Sequence, residues 1–307
     1  MNFEQFLCGR PANDYVFQEM DYNQQINRAA QLIREADAVL IGAGAGLSTA
    51  AGMAYSGKRF TDNFQEYIDK YGKMYMTDMY SAGFYPFPTE EAKWGYWSKH
   101  SYINRIEPEG LLVYKEVYEL VKDKKHFVLT TNVDHQFQKS GFDDADVFAT
   151  QGDYGLIQCA KGCHQKTYDA VGIFKQMIQA VDDCKVPSYM VPKCPVCGGK
   201  MAMNLRCDGY FVEDEHWHEQ DRKFGEFLTE NIDKNVVLLE LGVGFNTPTI
   251  IRFPFENLVR EHKNISLIRL NLQEAVVPES FGDRAIGINE DIGKTLESIL
   301  KGCALTA

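Results

Sequence analysis

The stretch LIGAGAGLSTAAG, residues 40–52, places glycine at three alternate positions directly after an apolar run. Glycine permits positive φ angles and lets the backbone approach a ligand closely. A glycine turn between a strand and a helix also presents unpaired N–H groups at the positive end of the helix dipole. The stretch therefore predicts a dinucleotide-binding loop that holds a pyrophosphate. The alternative is a tight turn that binds nothing.

The two commonest phosphate-binding fingerprints do not fit this loop. In the pattern Gly-x-Gly-x-x-Gly, the last position falls on Leu47 when counted from Gly42 and on Thr49 when counted from Gly44. No Gly-Lys-Ser/Thr sequence follows, which excludes a P-loop. An acidic residue that binds ribose should end a second strand about 20 residues on, but residues 60–66 are predicted to be helical. We expect a loop unlike that of an ordinary dehydrogenase.

Alternating strand and helix patterns surround this loop. Amphipathic helices are predicted at 22–36, 109–122 and 291–301. This alternation predicts an α/β fold with a Rossmann-like parallel sheet and helices on both faces. Inserts at about 56–105, rich in aromatic residues, and at 156–205 predict a second, smaller domain. The strands are predicted at 38–41, 126–131, 146–149, 236–241, 266–271 and 284–288.

Composition narrows the class of protein. The 307 residues carry a formal net charge of −11, which argues against nucleic acid as a partner. No run approaches about 20 apolar residues, so no membrane span is expected. The first residues lack the pattern of a signal peptide, and the eight cysteines suit reduced thiols or metal ligands. We expect a cytoplasmic protein.

Two cysteine pairs bracket the second insert, and the second pair has the sequence Cys-Pro-Val-Cys-Gly-Gly of a zinc-knuckle turn. Four thiolates suit tetrahedral Zn²⁺ and leave no open coordination position, so we expect a structural rather than a catalytic metal. The alternatives are unliganded thiols, or His164 as a replacement ligand. The predicted ligands are Cys159, Cys163, Cys194 and Cys197.

Several segments, in order, resemble motifs of the sirtuin family. Residues 44–52 resemble Gly-Ala-Gly-Ile-Ser-x-x-Ser-Gly, and residues 130–134 (TTNVD) resemble Thr-Gln-Asn-Ile-Asp. Gln151 and the glycine after it stand in the place of His-Gly. Residues 241–247 (LGVGFNT) are similar to the Gly-Thr-Ser-Leu ribose loop, and Asn271 follows the next strand. The resemblance covers about residues 25–300.

The resemblance implies a chain that cleaves the nicotinamide–ribose bond of NAD rather than transferring a hydride. It implies a Rossmann-like NAD-binding domain of residues 22–55, 106–155 and 206–303, with the helical insert 56–105 and the zinc-ribbon insert 156–205 as the small domain. Asn132 would hold the ribose side of NAD or its water, and Asp134 the nicotinamide carboxamide. Capping of the next helix is the alternative role for both. The cofactor-binding residues implied are Gly44, Ala45, Gly46, Ser48, Arg59, Asn132, Asp134, Gln151, Gly242, Gly244, Asn246, Asn271 and Asp291.

Departures from the family pattern point to one subgroup. The catalytic histidine of deacylating sirtuins is Gln151 here, and Pro-Asp-Phe-Arg is replaced by residues 54–60 (AYSGKRF), with Arg59 as the candidate guanidinium. These departures resemble the macrodomain-linked (class M) sirtuins. That resemblance implies a protein ADP-ribosyltransferase acting on a lipoylated carrier of the glycine cleavage H type, with a functional link to a macrodomain hydrolase.

The chemistry of residue 151 supports transfer independently. Deacylation needs a base that activates a ribose hydroxyl, and histidine suits this with an unperturbed pKa near about 6.5. A glutamine amide cannot accept that proton, yet it can hold the ribose or an incoming nucleophile. We therefore predict an NAD-dependent mono-ADP-ribosyltransferase with Asn132 and Gln151 as catalytic residues. The alternatives are a deacylase that tolerates Gln151 and a non-catalytic NAD or ADP-ribose binding module. His135 and His164 lie nearby in sequence as candidate substitute bases.

Overall fold

The computed structural model describes Arg10, residues 14–245 and residues 248–304. Eleven strands are present in this part of the chain. They are β1 (Tyr15–Val16), β2 (Ala38–Ala43), β3 (Lys125–Thr130), β4 (Val147–Ala149), β5 (Gly152–Cys159), β6 (Thr167–Asp169), β7 (Met201–Leu205), β8 (Val236–Leu241), β9 (Ile265–Leu270), β10 (Val277–Pro278) and β11 (Ala285–Ile288).

Helices connect most of these strands, and a π-helical turn at Tyr102–Ile106 extends one of them. The longer helices are amphipathic or lie between two layers. Along the described residues, none of them combines the length and the apolarity that a membrane span requires. The helices are α1 (Tyr22–Glu35), α2 (Ala45–Ala50), α3 (Lys58–Tyr71), α4 (Met79–Gly83), α5 (Glu90–Ser101), α6 (Leu112–Val121), α7 (Gln136–Lys139), α8 (Val171–Ala180), α9 (Glu215–Asn231), α10 (Arg252–Glu261) and α11 (Ile292–Ala304).

The main sheet has six parallel strands in the order β11-β9-β8-β2-β3-β4. The chain builds outward from β2 in one direction and from β8 in the other, so the strand order reverses between these two neighbours. Open α/β sheets bind ligands at such a switch point, outside the carboxyl ends of the strands. The glycine loops that follow β2 and β8 both lie at this place.

Alternation along β2 explains why helices cover both faces of the sheet. Val39 and Ile41 join one apolar core, which includes residues of α1, α6 and α11. Ala38 and Leu40 join a second core, which includes residues of α9 and α10. Successive side chains of a strand point to opposite faces, so every residue of this strand is buried. The α/β fold predicted from the sequence is confirmed, and the predicted strand boundaries differ from the observed ones by a few residues at most.

A smaller layer joins the two inserts. The antiparallel sheet β6-β5-β7 packs its apolar side against α5 and α8, and a second aromatic cluster lies between α3 and α5. Most of the aromatic residues in the helical insert are core, as expected, but Tyr75, Tyr80 and Phe84 are exposed. The domain division stays a proposal, and β5 crosses its boundary between residues 155 and 156.

Candidate active site

A cleft of about 820 Å³ opens at the switch point. It runs from the glycine loops, past the end of β3, to the aromatic insert. Most of the predicted cofactor-binding residues contribute to its wall, although they come from distant parts of the chain. The predicted residues that line the cleft are Gly44, Ala45, Gly46, Asn132, Gln151, Gly242, Gly244, Asn271 and Asp291.

The two glycine loops touch each other at the centre of this wall. The backbone nitrogen of Gly46 donates a hydrogen bond to the carbonyl oxygen of Gly242 at 3.0 Å. A Cβ at residue 46 would lie 2.7 Å from the Cα of Gly242, and Gly242 itself has a φ of +63°. Both positions therefore need glycine, one for close approach and the other for its backbone angle. The contact joins the turn after β2 to the turn after β8.

Asn132 occupies the deep side of the cleft, directly after β3. Its Nδ2 donates to the carbonyl oxygen of Gly44 at 3.0 Å and to the hydroxyl oxygen of Tyr114 at 3.1 Å. The Tyr114 hydroxyl lies 2.8 Å from Ser48 Oγ, which donates to Asp134 Oδ2 at 2.6 Å. Tyr114 is fully buried on α6, and no local pattern in the sequence singled it out.

Asp134 belongs to this buried network rather than to the wall of the cleft. Its Oδ1 accepts the backbone N–H of Gln136 at 3.1 Å, while Oδ2 faces Ser48 and Tyr114. Burial raises the pKa of the Asp134 carboxyl, although the hydrogen bonds from Ser48 and Gln136 oppose that rise. The bond to Gln136 lies at the start of α7, but the N-cap of that helix is His135 and has no side-chain capping bond. A contact of Asp134 with a nicotinamide carboxamide stays a prediction.

Gln151 lines the cleft beside an arginine that the sequence analysis missed. The backbone nitrogen of Arg206 donates to the carbonyl oxygen of Gln151 at 3.0 Å, and both residues line the cleft. The Arg206 guanidinium stacks over the rings of Phe211 and Trp217, at 4.3 and 5.4 Å from their centroids. The strand before it, β7, was not predicted from the sequence, so no local signal marked Arg206.

A buried charge cluster supports the ribose-loop segment. Arg252 Nη1 donates to the carbonyl oxygen of Val243 at 3.1 Å, and Glu274 Oε2 accepts the backbone N–H of Phe245 at 2.8 Å. Arg252 lies 3.8 Å from Glu240, which pairs with Arg269 at 2.7 Å, and all three side chains are fully buried. Burial lowers the pKa of Arg252 to about 10, and the neighbouring arginine adds to that effect. The cluster holds the loop after β8 in place.

Other predicted residues lie away from the cleft wall. Ser48 is buried behind it. The guanidinium of Arg59 donates to Asn104 Oδ1 at 2.8 Å and to the carbonyl oxygen of Ile103 at 3.1 Å. A role for Arg59 in holding the cofactor therefore stays a prediction. Asn246 lies outside the described residues.

The two histidines considered as substitute bases have other partners. His135 Nδ1 lies 2.8 Å from Asp153 Oδ2, and Asp153 also accepts from Arg105 at 2.8 Å. Burial opposes ionisation of Asp153, but these two partners outweigh it and lower its pKa to about 2. His164 lies between Cys163 Sγ, at 3.0 Å, and Tyr168 Oη, at 2.8 Å. Neither histidine lines the cleft.

The four predicted metal ligands come together. Their Sγ atoms all lie within 4.8 Å of one another, with Cys163–Cys194 at 3.6 Å and Cys159–Cys197 at 3.7 Å. A tetrahedral zinc site with Zn–S bonds of about 2.3 Å separates its sulfur atoms by about 3.8 Å, so the cluster fits structural zinc. Backbone N–H groups in the first cysteine turn lower the pKa of Cys159 to about 6, whereas burial and the neighbouring sulfur atoms raise the pKa of Cys163. The cluster consists of Cys159, Cys163, Cys194 and Cys197.

Solved structures with the same architecture are Sir2 enzymes. A Sir2 homologue in complex with NAD aligns with a TM-score of 0.60 at 14% identity, covering 96% of this chain and 99% of that chain. Sir2Tm bound to a propionylated peptide aligns with a TM-score of 0.56 at 18% identity, covering 88% of this chain and 95% of that chain. At such identities the likeness shows the fold alone, which is the sirtuin fold.

Sequence relatives decide the family. A protein ADP-ribosyltransferase of Staphylococcus aureus is 34% identical over 275 residues, which cover 89% of this chain and 86% of the relative. The chain belongs to the sirtuin-type protein ADP-ribosyltransferases. A probable bifunctional ADP-ribose hydrolase/ADP-ribosyltransferase of Fusarium oxysporum is 32% identical to this chain over 294 residues, which cover 90% of this chain and 48% of the relative. No family profile matches the chain.

Proposed function

We propose that the chain transfers a single ADP-ribose unit from NAD to a protein and releases nicotinamide. One observation carries the proposal. Gln151 lines the cleft, and its sequence position resembles that of the catalytic histidine of deacylating sirtuins. No histidine is present among the described residues that line the cleft. NAD binding and cleavage do not need a base at this position, whereas deacylation does.

The cleft offers complementary groups for each part of NAD. The touching glycine loops would receive the pyrophosphate through backbone contacts, because they can approach it without side-chain obstruction. Asn271 and Asp291 offer polar groups for the adenosine half, while Asn132 and Gln151 face the nicotinamide–ribose half. These assignments rest on the shared wall of the cleft and on the sirtuin resemblance.

The reaction breaks the bond between C1′ of the ribose and the nicotinamide nitrogen. Nicotinamide leaves with the bonding electron pair, and C1′ acquires oxocarbenium character that polar groups around it stabilise. An acceptor carboxylate is already ionised near neutral pH, so its oxygen can form the new bond to C1′ without a base. The guanidinium of Arg206, beside Gln151, already pairs with Glu213 at 2.5 Å, so its charge is balanced within the protein.

The acceptor that we propose is a lipoylated carrier of the glycine cleavage H type. The subgroup resemblance at Gln151 and in residues 54–60 suggests it, and the cleft offers a surface for an apolar arm. Tyr55, Tyr80 and Tyr154 line the cleft. The Fusarium relative is named as an ADP-ribose hydrolase as well as a transferase, which supports the proposed functional link to a macrodomain hydrolase.

The test uses NAD labelled in its adenylate part. The protein is incubated with it alone, with an acetyl-lysine peptide, or with a lipoylated carrier protein. We expect label on the carrier and free nicotinamide in equal amounts, and neither product with Asn132→Ala. The matched control is Asn235→Ala, at a site remote from the cleft. Deacetylated peptide with unlabelled protein would replace the transferase with the deacylase. NAD binding without turnover would support the binding module.

A further inference from the structure

The side-chain amide of Asn132 can take only one orientation. An amide nitrogen carries two protons, and Asn132 donates one to the Gly44 carbonyl oxygen at 3.0 Å and the other to Tyr114 Oη at 3.1 Å. The reversed amide would place two carbonyl oxygens 3.0 Å apart, which is electrostatically unfavourable. Because both protons face the protein, Oδ1 is the amide atom that remains for a ligand in the cleft.

The Tyr114 hydroxyl stands in the middle of a one-way chain of hydrogen bonds. A hydroxyl has one proton to donate. Ser48 donates its proton to the Asp134 carboxylate at 2.6 Å, so the 2.8 Å contact between Ser48 and Tyr114 requires Tyr114 as the donor. Tyr114 Oη is then the acceptor for Asn132 Nδ2. The chain runs from Asn132 through Tyr114 and Ser48 to Asp134, and all four residues are buried.

We propose that Tyr114 is a positioning residue that presents Asn132 Oδ1 to NAD as a hydrogen-bond acceptor. Tyr114 is fully buried and does not line the cleft, so it acts on the substrate only through Asn132. The acceptor oxygen would accept a hydrogen bond from a ribose hydroxyl group, or from a water molecule bound to the ribose. This inference rests on the proposed cleavage of NAD. A side chain that two hydrogen bonds already hold before the substrate binds needs little reorientation during the reaction.

The substitution Tyr114→Phe removes the hydroxyl and leaves the ring in contact with Phe137. We expect kcat for nicotinamide release to fall about 10-fold, the effect of losing one orienting hydrogen bond. The KM for NAD should stay within about 2-fold, since most of the dinucleotide contacts lie elsewhere. Tyr118→Phe is the matched control: Tyr118 lies one turn further along α6 and packs on Phe142 and His126. Thermal unfolding checks that both variants are folded.

The second readout follows the Asn132 side-chain amide by ¹⁵N NMR, with Asn132→Ala to assign its signals. In the unmodified protein, both Nδ2 protons should exchange slowly with water. In Tyr114→Phe one of them should exchange faster, whereas Tyr118→Phe should change neither. Ser48→Ala removes the nearer acceptor of the Tyr114 proton and leaves only Asp134 Oδ2, at 3.4 Å. It should give a smaller change in the same direction, which is the readout if Tyr114→Phe does not fold.

Two results would overturn the inference. Unchanged Asn132 amide signals in both Tyr114→Phe and Ser48→Ala would show that the chain does not hold the amide. A kcat for Tyr114→Phe within about 2-fold of the unmodified protein, while the Asn132 amide exchanges faster, would show that this orientation does not serve the reaction. If the unmodified protein fails to release nicotinamide, the proposed function fails, and amide exchange alone still decides the orientation of Asn132.

Discussion

The backbone of Gly46 packs directly against the backbone of Gly242. Their hydrogen bond of 3.0 Å joins two loops whose bonded residues, 46 and 242, are 196 positions apart in the chain. One loop follows β2 and the other follows β8, which are hydrogen-bonded neighbours in the sheet. The contact therefore sets the spacing of the two loops that form the centre of the cleft.

Gly46→Ala is expected to inactivate the protein and lower its stability. The added methyl group would lie 2.7 Å from the Cα and 2.8 Å from the carbonyl oxygen of Gly242, so backbone must move. Overpacking of this kind costs about 1–3 kcal/mol. Gly225→Ala, inside α9, meets no atom within 4 Å and should keep activity and stability. Thermal unfolding and nicotinamide release measure both variants. Normal activity in Gly46→Ala would contradict the role of this contact.

Gln151→Ala should reduce transfer of ADP-ribose by about 10- to 150-fold, because one hydrogen bond to a charged or developing-charge group contributes about 1.5–3 kcal/mol. Gln151→His restores an imidazole, but we expect at most weak deacetylation from it. Labelled protein and deacetylated peptide are measured for each variant, with the exposed Gln165→Ala as control. The argument from the missing base fails if the unmodified protein deacetylates as efficiently as it labels protein.

Metal analysis should find about one zinc ion per chain, as expected for a closed site of four thiolates. Removal of zinc by a chelator should expose the β5–β7 layer first, because the cysteine cluster holds both ends of that insert. Hydrogen exchange should then increase in this layer before it increases in the parallel sheet. Cys194→Ser should lose the metal, whereas Cys207→Ser, outside the cluster, should retain it. A zinc-free protein purified without chelator would contradict this prediction.

The fully buried His100 should make the protein less stable in mild acid. Its ring lies 4.5 Å from that of Tyr154 and 5.1 Å from that of Trp97, and burial lowers its pKa to about 3. The unfolded chain binds a proton at this histidine below about pH 6.5, while the folded chain does not. The contribution to stability is therefore complete above pH 6.5 and declines as the pH falls from there toward 3.

Urea unfolding at several pH values measures this decline. At pH 5, His100 should lower the free energy of unfolding by up to about 2 kcal/mol relative to pH 8, from the proton linkage of one group. His100→Phe should show a correspondingly smaller dependence on pH, whereas the exposed His216→Gln should behave like the unmodified protein. An identical pH dependence in His100→Phe would show that His100 does not titrate in this way.

The elements of the parallel sheet and the metal ligands could be predicted because their signals are local. An apolar run such as Val236–Leu241 shows its strand in its own composition, and a glycine loop after such a run shows its turn. Cys194-Pro-Val-Cys197 is a compact metal-binding pattern that can be recognised without information from distant residues. The sirtuin resemblance added the order of the motifs, and the sequence relatives and solved structures confirm the family and the fold.

The sequence by itself therefore determined the α/β fold class, the glycine loops and the cysteine ligands. It also showed that residue 151 is a glutamine rather than a histidine that could act as a base. Only the tertiary structure decided which residues from distant parts of the chain support these features. The Tyr114 side chain reaches Asn132 from α6, the backbone of Arg206 bonds to that of Gln151 from the end of β7, and the Arg252 side chain reaches Val243 beneath its loop. Turn and strand patterns depend on neighbouring residues and can be read locally. The pairing of buried polar groups depends on how distant elements pack, because each group must find a partner where water is excluded.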